Sequence, residues 1–442
     1  MKNRGKLWLL ALLVSSCASH LGIRHQSPSV DVRPLVPEVY VPTPVVIDEQ
    51  RAEAVPHVAP EGTPSAAGQT GMSPWLTACA DRLSALCADP LFTTTQLGLY
   101  VYDLTDGVPV YAMNAAQRMR PASCQKLVTA ITALHCLKGS YSLQTDIRIT
   151  GQVQNGVLNG DLIIVGGMDP LVTPSELTQA AATLRQQLGL QRIDGRLIYD
   201  MSMREDVPMG WGWCWDDDYG PLSALMVDGK DTFDQHWKKA LSAAGIRLRT
   251  SAAQRAQAPA QSRSVLTIRH GIDQLLVPMM KKSDNIFAEC LFYQTAASTG
   301  KKLAGRKQAA QCTGNLLSQL GLSPDDYVVA DGSGLSLYNY LSAEMLVALL
   351  RHAWTDEDIH NHLLPSLPIA SVDGTLEKRM ADTPAAGNVW AKTGSVSGIS
   401  SLAGYISAAN GHVLAFAILN QGVPTMSCGR DFQDKVCVAL CQ

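Results

Sequence analysis

Pro121-Ala122-Ser123-Cys124-Gln125-Lys126-Leu127 is the stretch of this chain that decides its fold. Proline is well tolerated at a helix start, and the apolar residues that follow are spaced as on one helix face, which predicts a helix from residue 124 to about 137. Ser123 then lies at the first turn, and Lys126, three residues later, lies on the same face. A lysine amine in a partly dry site has a lowered pKa and can take the proton of a serine hydroxyl. The stretch therefore predicts a nucleophilic serine with its own base.

A second copy of the Ser-x-x-Lys pattern, Ser298-Thr299-Gly300-Lys301, shows that the pattern alone is weak evidence. The second copy lies in a polar turn, and its glycine argues against a helix start. Two further motifs, Ser283-Asp284-Asn285 and Lys392-Thr393-Gly394, each occur once. They follow the first copy in the order typical of penicillin-binding proteins and class A β-lactamases, whereas the second copy falls after the Ser-Asp-Asn motif. Ser123 is therefore the candidate nucleophile.

The two later motifs supply groups that such a serine needs. Lys392 lies at the start of a strand-like run and can bind a substrate carboxylate, while Gly394 lets a substrate backbone approach closely. Ser283 and Asn285 lie on a loop before a predicted helix, where they can relay a proton and hold a substrate amide. Backbone N–H groups at the start of the nucleophile helix can stabilise an oxyanion. Together these groups predict a serine acyltransferase.

The flanking sequence resembles the class C low-molecular-mass penicillin-binding proteins, the D-alanyl-D-alanine carboxypeptidase/endopeptidase family, from about residue 75 to the C-terminus. The matching segments besides the three motifs are Leu158-Asn159-Gly160-Asp161-Leu162, Gly167-Met168-Asp169-Pro170, Asp331-Gly332-Ser333-Gly334-Leu335-Ser336, Asp373-Gly374-Thr375-Leu376 with Arg379, and Leu402-Ala403-Gly404-Tyr405. The resemblance implies an α/β (α+β) fold of the penicillin-binding, β-lactamase-like transpeptidase type, with an antiparallel sheet flanked by helices and one smaller inserted domain. It also implies a carboxypeptidase, and an endopeptidase in addition, that acts on peptidoglycan stem peptides. β-Lactam antibiotics would be covalent inhibitors, and no metal or cofactor is implied.

The resemblance further implies the roles of the catalytic residues. Ser123 would form the acyl-enzyme, Lys126 would deprotonate it, and Ser283 would pass a proton to the leaving D-alanine. Asn285 would bind the peptide amide, and Lys392 is the remaining catalytic candidate. Lys392 and Thr393 would hold the terminal carboxylate of the substrate. Gly394 and Ser395 are further substrate-binding candidates, and the backbone N–H groups of Ser123 and Ser395 would form the oxyanion hole.

Two positions depart from the family pattern. Leu337 stands where members commonly carry an arginine after Gly-Leu-Ser, and Ser397 replaces a glutamine that is common shortly after Lys-Thr-Gly. Both positions are expected to shape the pocket for the side chain of the third stem-peptide residue. Asp169 either lines that pocket or is a turn aspartate before Pro170.

The N-terminus has the pattern of an export signal. Met1-Lys2-Asn3-Arg4-Gly5-Lys6 is basic, and the apolar run at 7–14 is too short to span a bilayer as a helix. Ser15-Ser16-Cys17 follows, which fits either an ordinary secretory leader or a lipoprotein leader in which Cys17 is lipidated. We favour the lipoprotein, with a signal peptide at 1–16, export to the periplasm and a membrane anchor through lipid on Cys17.

The composition along the chain predicts its domains. Recurrent prolines without a helical period predict a semi-extended tether at 17–73. Short strands and turns between longer helical segments predict an inserted domain at 141–263. Residues 74–140 and 264–442 would then form the serine peptidase domain.

The gross composition excludes some functions. The 442-residue chain is 46% hydrophobic and 17% charged, with a net charge of -3, which argues against a nucleic-acid partner. Its 11 cysteines show no zinc-binding spacing, and most are expected to be buried. The sequence does not decide whether one disulfide bond forms among Cys428, Cys437 and Cys441.

The sequence disfavours two alternatives to the peptidase. A β-lactamase or esterase of the same fold is disfavoured by the long insert and by the lack of an obvious deacylating glutamate motif. A non-catalytic cell-wall-binding lipoprotein is disfavoured because a binding module has no need for both motif lysines.

Overall fold

The computed structural model describes residues 73–442, except 215, 216, 218 and 219. The predicted signal peptide, the tether apart from Ser73, and the lipidated Cys17 lie outside the described residues. Within the described part, no helix combines the length and the apolar character needed to cross a membrane.

The described chain alternates between helical and strand-rich segments. The helices are α1 (Pro74–Cys87), α2 (Gln125–Leu137), α3 (Pro174–Gln187), α4 (Phe233–Ala243), α5 (Ile272–Lys281), α6 (Asn285–Ala297), α7 (Arg306–Gln319), α8 (Ala343–Thr355), α9 (Glu357–Ser366) and α10 (Met426–Cys441). The strands are β1 (Gln96–Asp103), β2 (Val108–Met113), β3 (Ser142–Ile149), β4 (Gln152–Gln154), β5 (Val157–Asn159), β6 (Leu162–Val165), β7 (Arg192–Ile193), β8 (Leu197–Asp200), β9 (Arg247–Leu248), β10 (Ala253–Arg255), β11 (Arg263–Gly271), β12 (Val389–Val396), β13 (Ile399–Ser407) and β14 (Val413–Gln421).

The main sheet has the order β12-β13-β14-β1-β2, and all of its neighbouring strands are antiparallel. Helices cover both of its faces, so β13 and β14 are buried along nearly their whole length. Ala403 and Tyr405 pack in one core with α2 and α8, while Leu402 and Ile406 pack in a second core with α1 and α10. This alternation follows from the period of two along a strand. The predicted antiparallel sheet flanked by helices is confirmed.

A third core forms between residues 147 and 268, where α3 and α4 pack against shorter strands. These strands make two sheets, in the orders β10-β8-β6-β3-β11 and β4-β5-β7-β9. β11 begins at Arg263 and pairs with β3 from there to Gly271. A boundary between residues 263 and 264 would therefore cut a strand, and the division of the chain into domains stays a prediction.

Capping and strand pairing set the helix starts. α3 begins at Pro174 after the N-cap Thr173, whose hydroxyl and Glu176 form a capping box. α5 begins at Ile272, because residues 268–271 remain paired in β11.

Candidate active site

Ser123, the predicted nucleophile, lies on a tight turn that leads into α2. Residues Ala122–Cys124 form a single 3-10 turn, so the α-helix proper starts at Gln125, one residue after the predicted start. Ala122 has φ 47, a left-handed conformation that costs free energy for a residue with a Cβ. Strain of this kind is tolerated where the surroundings fix a functional group. Here it holds Ser123, which is only half-buried, at the end of the helix.

Lys126 is fully buried and its amine binds three oxygens. Its Nζ lies 3.1 Å from Ser123 Oγ, 2.6 Å from Asn285 Oδ1 and 2.8 Å from the carbonyl oxygen of Ser333. Burial and the nearby charge of Lys392 lower the pKa of Lys126 to about 7, although three surrounding acidic groups oppose the shift. An amine with this pKa, in contact with a serine hydroxyl, can act as a general base near neutral pH.

The loop between α5 and α6 brings Asn285 to the lysine. Asp284 caps α6 by accepting a hydrogen bond from the N–H of Phe287 at 3.1 Å, which fixes Asn285 as the first helical residue. Ser283 has φ 59, another left-handed residue, so the chain turns sharply just before the cap. The structure thus places Asn285 in contact with Lys126, and Ser283 lies two residues earlier in the chain.

The loop that carries Ser333 is organised by Asp331, a role that the sequence analysis missed. The buried carboxylate of Asp331 accepts hydrogen bonds from the backbone N–H groups of Gly334 at 2.8 Å and Ser336 at 2.7 Å. It also accepts one from Asn339 Nδ2 at 2.7 Å. These bonds fold the loop so that the Ser333 carbonyl faces Lys126. The Asp-Gly-Ser-Gly-Leu-Ser segment was recognised in the sequence, but only as part of the family resemblance.

Glu289 holds the same loop from the side of α6. Its Oε1 accepts the N–H groups of Gly332 at 3.0 Å and Ser333 at 2.8 Å. Burial, reinforced by the neighbouring Asp331, raises the pKa of Glu289 to about 8. The only sequence signal for this residue is that Glu289 is the one charged side chain of α6.

Strand β12, an edge strand of the main sheet, lies directly against the nucleophile turn. The thiol of Cys124 donates to the carbonyl oxygen of Lys392 at 3.2 Å. A Cβ placed on Gly394 would lie 2.5 Å from the Pro121 carbonyl oxygen and 3.1 Å from the Ser123 nitrogen. The Lys-Thr-Gly motif predicts a close approach of substrate at this glycine, whereas in the structure the protein's own nucleophile turn occupies that space.

Strand β12 carries three further candidate residues of the site, Lys392, Thr393 and Ser395. The amine of Lys392 is buried and donates to the carbonyl oxygen of Thr393 at 2.7 Å. Burial lowers the pKa of Lys392 to about 8. The hydroxyl of Thr393 donates to that of the exposed Thr375 at 2.8 Å, which adds a residue that the sequence analysis left without a role. Ser395 is exposed at the far side of Gly394.

The carboxylate of Asp169 pairs with a histidine. Asp169 is 1% exposed, and its carboxylate lies 2.7 Å from Nδ1 of His270, whose Nε2 lies 3.0 Å from Glu176. Burial lowers the pKa of His270, but the two carboxylates outweigh it and raise the pKa to about 10. Asp169 also accepts the N–H of Leu171 at 3.0 Å. These contacts favour the alternative of a turn aspartate before Pro170, and substrate binding by Asp169 stays a prediction.

The second Ser-x-x-Lys copy is not arranged as a catalytic pair. Ser298 is the C-cap of α6, and its hydroxyl donates to the carbonyl oxygen of Thr295 at 2.7 Å. Gly300 has φ 73, and Lys301 is exposed to solvent. Ser123 therefore stays the predicted nucleophile.

Known proteins similar to this chain indicate the same class of enzyme as the three motifs. A model of the D-Ala-D-Ala carboxypeptidase 3 (S13) family matches residues 79–232 and 221–440. The D-alanyl-D-alanine carboxypeptidase DacB of Haemophilus influenzae is 26% identical over 75% of this chain and 86% of its own. The crystal structure of penicillin binding protein 4 (dacB) from Haemophilus influenzae superposes with a TM-score of 0.70 at 25% identity, over 78% of this chain and 94% of that one. A second structure of that protein, complexed with a β-lactam, has a TM-score of 0.65 at 25% identity and the same coverage.

Proposed function

The chain belongs to the D-Ala-D-Ala carboxypeptidase 3 (S13) family of serine hydrolases, and we propose that it cleaves peptidoglycan stem peptides through an acyl-enzyme on Ser123. The contact between Lys126 Nζ and Ser123 Oγ, at 3.1 Å, carries this proposal. A buried amine with a pKa of about 7 is largely neutral at slightly alkaline pH, so it has a lone pair for the serine proton.

The first half-reaction proceeds in two proton transfers. Neutral Lys126 takes the proton of Ser123 Oγ while the oxygen attacks the carbonyl carbon of the penultimate D-alanine. Collapse of the tetrahedral intermediate breaks the amide bond, and the proton that Lys126 took passes through Ser283 to the amine of the leaving D-alanine, which leaves Lys126 neutral again. Water then gives a proton to Lys126 as its oxygen attacks the ester, and that proton returns to Ser123 Oγ when the ester bond breaks and the shortened peptide leaves.

The carboxylate end of the substrate would lie along β12. Lys392 supplies a positive charge beside Thr393, whose hydroxyl is linked to Thr375 at 2.8 Å. Asn285 would hold the peptide amide while its Oδ1 fixes Lys126. Because Leu337 and Ser397 replace charged and amide side chains of the family pattern, we expect no ion pair from either position with the third stem-peptide residue.

The oxyanion hole would be formed by the backbone N–H groups of Ser123 and Ser395. The close packing of Gly394 on the nucleophile turn supports this, because it brings β12 alongside the Ser123 nitrogen. Two such donors, fixed before the reaction, stabilise the charge of the tetrahedral intermediate without reorganisation.

We expect the Gly394→Ala variant to be acylated about 10- to 100-fold more slowly by penicillin. The added methyl group would meet the Pro121 carbonyl oxygen at 2.5 Å, and both groups belong to fixed backbone. β12 must therefore shift from the turn, and a displacement approaching 1 Å is enough for such a loss. Labelling with fluorescent penicillin, stopped at successive times, measures the rate of acylation. Gly220→Ala is the matched control, since its Cβ would meet nothing within 4 Å; equal rates for both variants would contradict the proposed hole.

Release of D-alanine tests the proposed substrate. Incubation with a diacetyl-L-Lys-D-Ala-D-Ala peptide is expected to give free D-alanine in many turnovers, while benzylpenicillin acylates the enzyme and is released slowly. The relative that was crystallised with a β-lactam supports the second expectation. Rapid turnover of penicillin without D-alanine release would instead indicate a β-lactamase of the same fold.

The location of the enzyme also belongs to this proposal. The basic start, the short apolar run and Cys17 support an exported lipoprotein in the periplasm, where its substrate lies. Mass spectrometry of the mature N-terminus tests it: an unmodified Cys17 on the exported protein would exclude the lipid anchor.

A further inference from the structure

One edge of strand β12 is paired with other backbone along only part of its length. The N–H of Ala391 donates to the carbonyl oxygen of Pro368 at 2.9 Å, and the N–H of Ala370 donates to that of Val389 at 3.0 Å. Among the described residues, this pairing stops at Ala391, directly before the Lys-Thr-Gly motif. Successive residues of a strand present their backbone groups to opposite edges, so those of Thr393 face the same edge as those of Ala391. A substrate can therefore lie beside β12 from Thr393 onward.

Thr375 contacts the first residue of that stretch. Its hydroxyl accepts a hydrogen bond from the Thr393 hydroxyl at 2.8 Å, and Thr375 is exposed to solvent. A hydroxyl that accepts one bond still has its own proton to donate, whereas an ionised carboxylate only accepts. The amine of Lys392 lies on the neighbouring residue and donates to the Thr393 carbonyl oxygen. Two adjacent hydroxyls beside a lysine are thus the donors that the terminal carboxylate of a peptide needs.

An ion pair holds the turn that carries Thr375. The amine of Lys281, at the end of α5, lies 2.8 and 2.6 Å from the two carboxylate oxygens of Asp373. The carboxylate of Asp373 also accepts the N–H of Ile369 at 2.9 Å, which closes the turn between these two residues. The Lys281 side chain is only 15% exposed, so water competes for this pair less than for a pair on the surface. The position of Thr375 is therefore fixed before substrate binds.

Gly374 brings the same turn against the chain that leads to the Ser-Asp-Asn motif. It has φ 60, and a Cβ on it would lie 2.9 Å from the carbonyl oxygen of Lys281. Lys281 is two residues before Ser283 in the sequence. The turn thus packs on the second motif's loop, while Thr375, the next residue, contacts the third motif through Thr393. Thr375 is placed between two of the three motifs.

We propose that Thr375 is a substrate-binding residue, whose hydroxyl binds the terminal carboxylate of the peptide together with that of Thr393, and that Lys281 and Asp373 position it. This inference rests on the proposed function, because it concerns the carboxylate of the same leaving D-alanine. When the carboxylate enters, the bond between the two hydroxyls is replaced by one bond from each hydroxyl to a carboxylate oxygen. The site then favours peptides that end in a free carboxylate.

Thr375→Val in the full chain tests the binding role, because valine keeps the shape of the side chain and removes the hydroxyl. With diacetyl-L-Lys-D-Ala-D-Ala, we expect KM to rise about 10-fold and kcat to change by less than about two-fold, as for a bond to a charged group that is made before and during the reaction. With the C-terminal amide of that peptide, KM should rise less than about three-fold, since a neutral acceptor forms a weaker bond. Chromatography of the products measures both reactions.

Two further variants accompany this comparison. Thr178→Val is the matched control, because the Thr178 hydroxyl donates to the Pro174 carbonyl oxygen within α3, and its KM should equal that of the wild type. Asp373→Asn removes the charge that faces Lys281, and it should raise KM for the carboxylate peptide about three-fold and leave KM for the amide unchanged. An unchanged KM for Thr375→Val, or an equal loss with both peptides, would overturn the binding role. An unchanged KM for Asp373→Asn would overturn the positioning role.

Failure of the proposed function would give a different result, because it is seen in the wild type. If the wild type releases no D-alanine but is acylated by benzylpenicillin, the proposed substrate is wrong, and benzylpenicillin and its methyl ester replace the two peptides. Thr375→Val should then slow acylation by benzylpenicillin about 10-fold and by the ester less than about three-fold. Equal slowing of both reactions, or none, would overturn the role of Thr375. A wild type that is neither acylated nor active on the peptide would overturn the proposed function and this inference together.

Discussion

Ser123→Ala is expected to abolish covalent labelling by fluorescent penicillin and to lower kcat/KM for D-alanine release by more than about 10⁴-fold. The alanine side chain has no oxygen to form the acyl-enzyme, so the remaining oxyanion donors and substrate contacts can only assist direct attack by water. Labelling on a denaturing gel and a coupled assay for free D-alanine measure the two effects. The fold should persist, because Ser123 is half-buried and the change only removes an atom.

Ser298→Ala is the matched control for this prediction. Ser298 belongs to the second Ser-x-x-Lys copy, but its hydroxyl only caps the end of α6. This variant should label and turn over as the wild type does. If Ser123→Ala still forms a stable penicillin adduct, the nucleophile is another residue and the proposed mechanism is wrong.

Lys126→Arg is expected to lower kcat/KM by about 10²- to 10⁴-fold at pH 7.5. The guanidinium keeps a positive charge near Ser123 and Asn285, but it cannot lose a proton at any accessible pH and so cannot act as a base. Steady-state D-alanine release and the rate of penicillin acylation measure the loss. Lys301→Arg, in the exposed second copy, provides the control and should leave both rates unchanged.

The pH dependence distinguishes a lost base from a lost contact. Lys126 must be neutral to accept the serine proton, so kcat/KM should rise with pH through about 7. Lys392 must be protonated to bind the substrate carboxylate, so kcat/KM should fall as pH rises through about 8. The profile of the wild type is therefore a narrow bell, whose macroscopic limits belong to the coupled pair of lysines. Lys126→Arg should lose the acid limb, and a variant with a reduced rate and an unchanged acid limb would show that Lys126 is not the base.

The prediction of Ser123 as the nucleophile rests on local evidence. Ser123 and Lys126 are three residues apart, so the helical period alone brings the hydroxyl and the amine together, and the structure has them at 3.1 Å. The antiparallel sheet flanked by helices was expected from the family resemblance, and the structure has it in the order β12-β13-β14-β1-β2. Helix starts were less predictable, because the N-cap Thr173 and the pairing of β11 depend on bonds that apolar spacing does not report.

The rest of the site depended on distant contacts. Asn285 and Ser333 reach Lys126 from 159 and 207 positions away, and Glu289 acts only by holding the loop that presents the Ser333 carbonyl. No periodicity in the sequence reports such contacts. The same holds for Asp169, for which the sequence left a pocket role and a turn role open, and whose carboxylate the fold pairs with His270.

What the sequence by itself determined is the set of candidate reacting groups: a serine, two lysines and an amide, in the order and local spacing that the proposed chemistry requires. Only the tertiary structure decided their state. A lysine in water has its ordinary high pKa, whereas the packed core of α2 and α6 removes water from Lys126 and places Lys392 nearby, and both effects lower its pKa to about 7. Gly394 is a second example. The Lys-Thr-Gly motif marks this residue in the sequence, but only the fold shows why a side chain does not fit there: the nucleophile turn packs directly against β12.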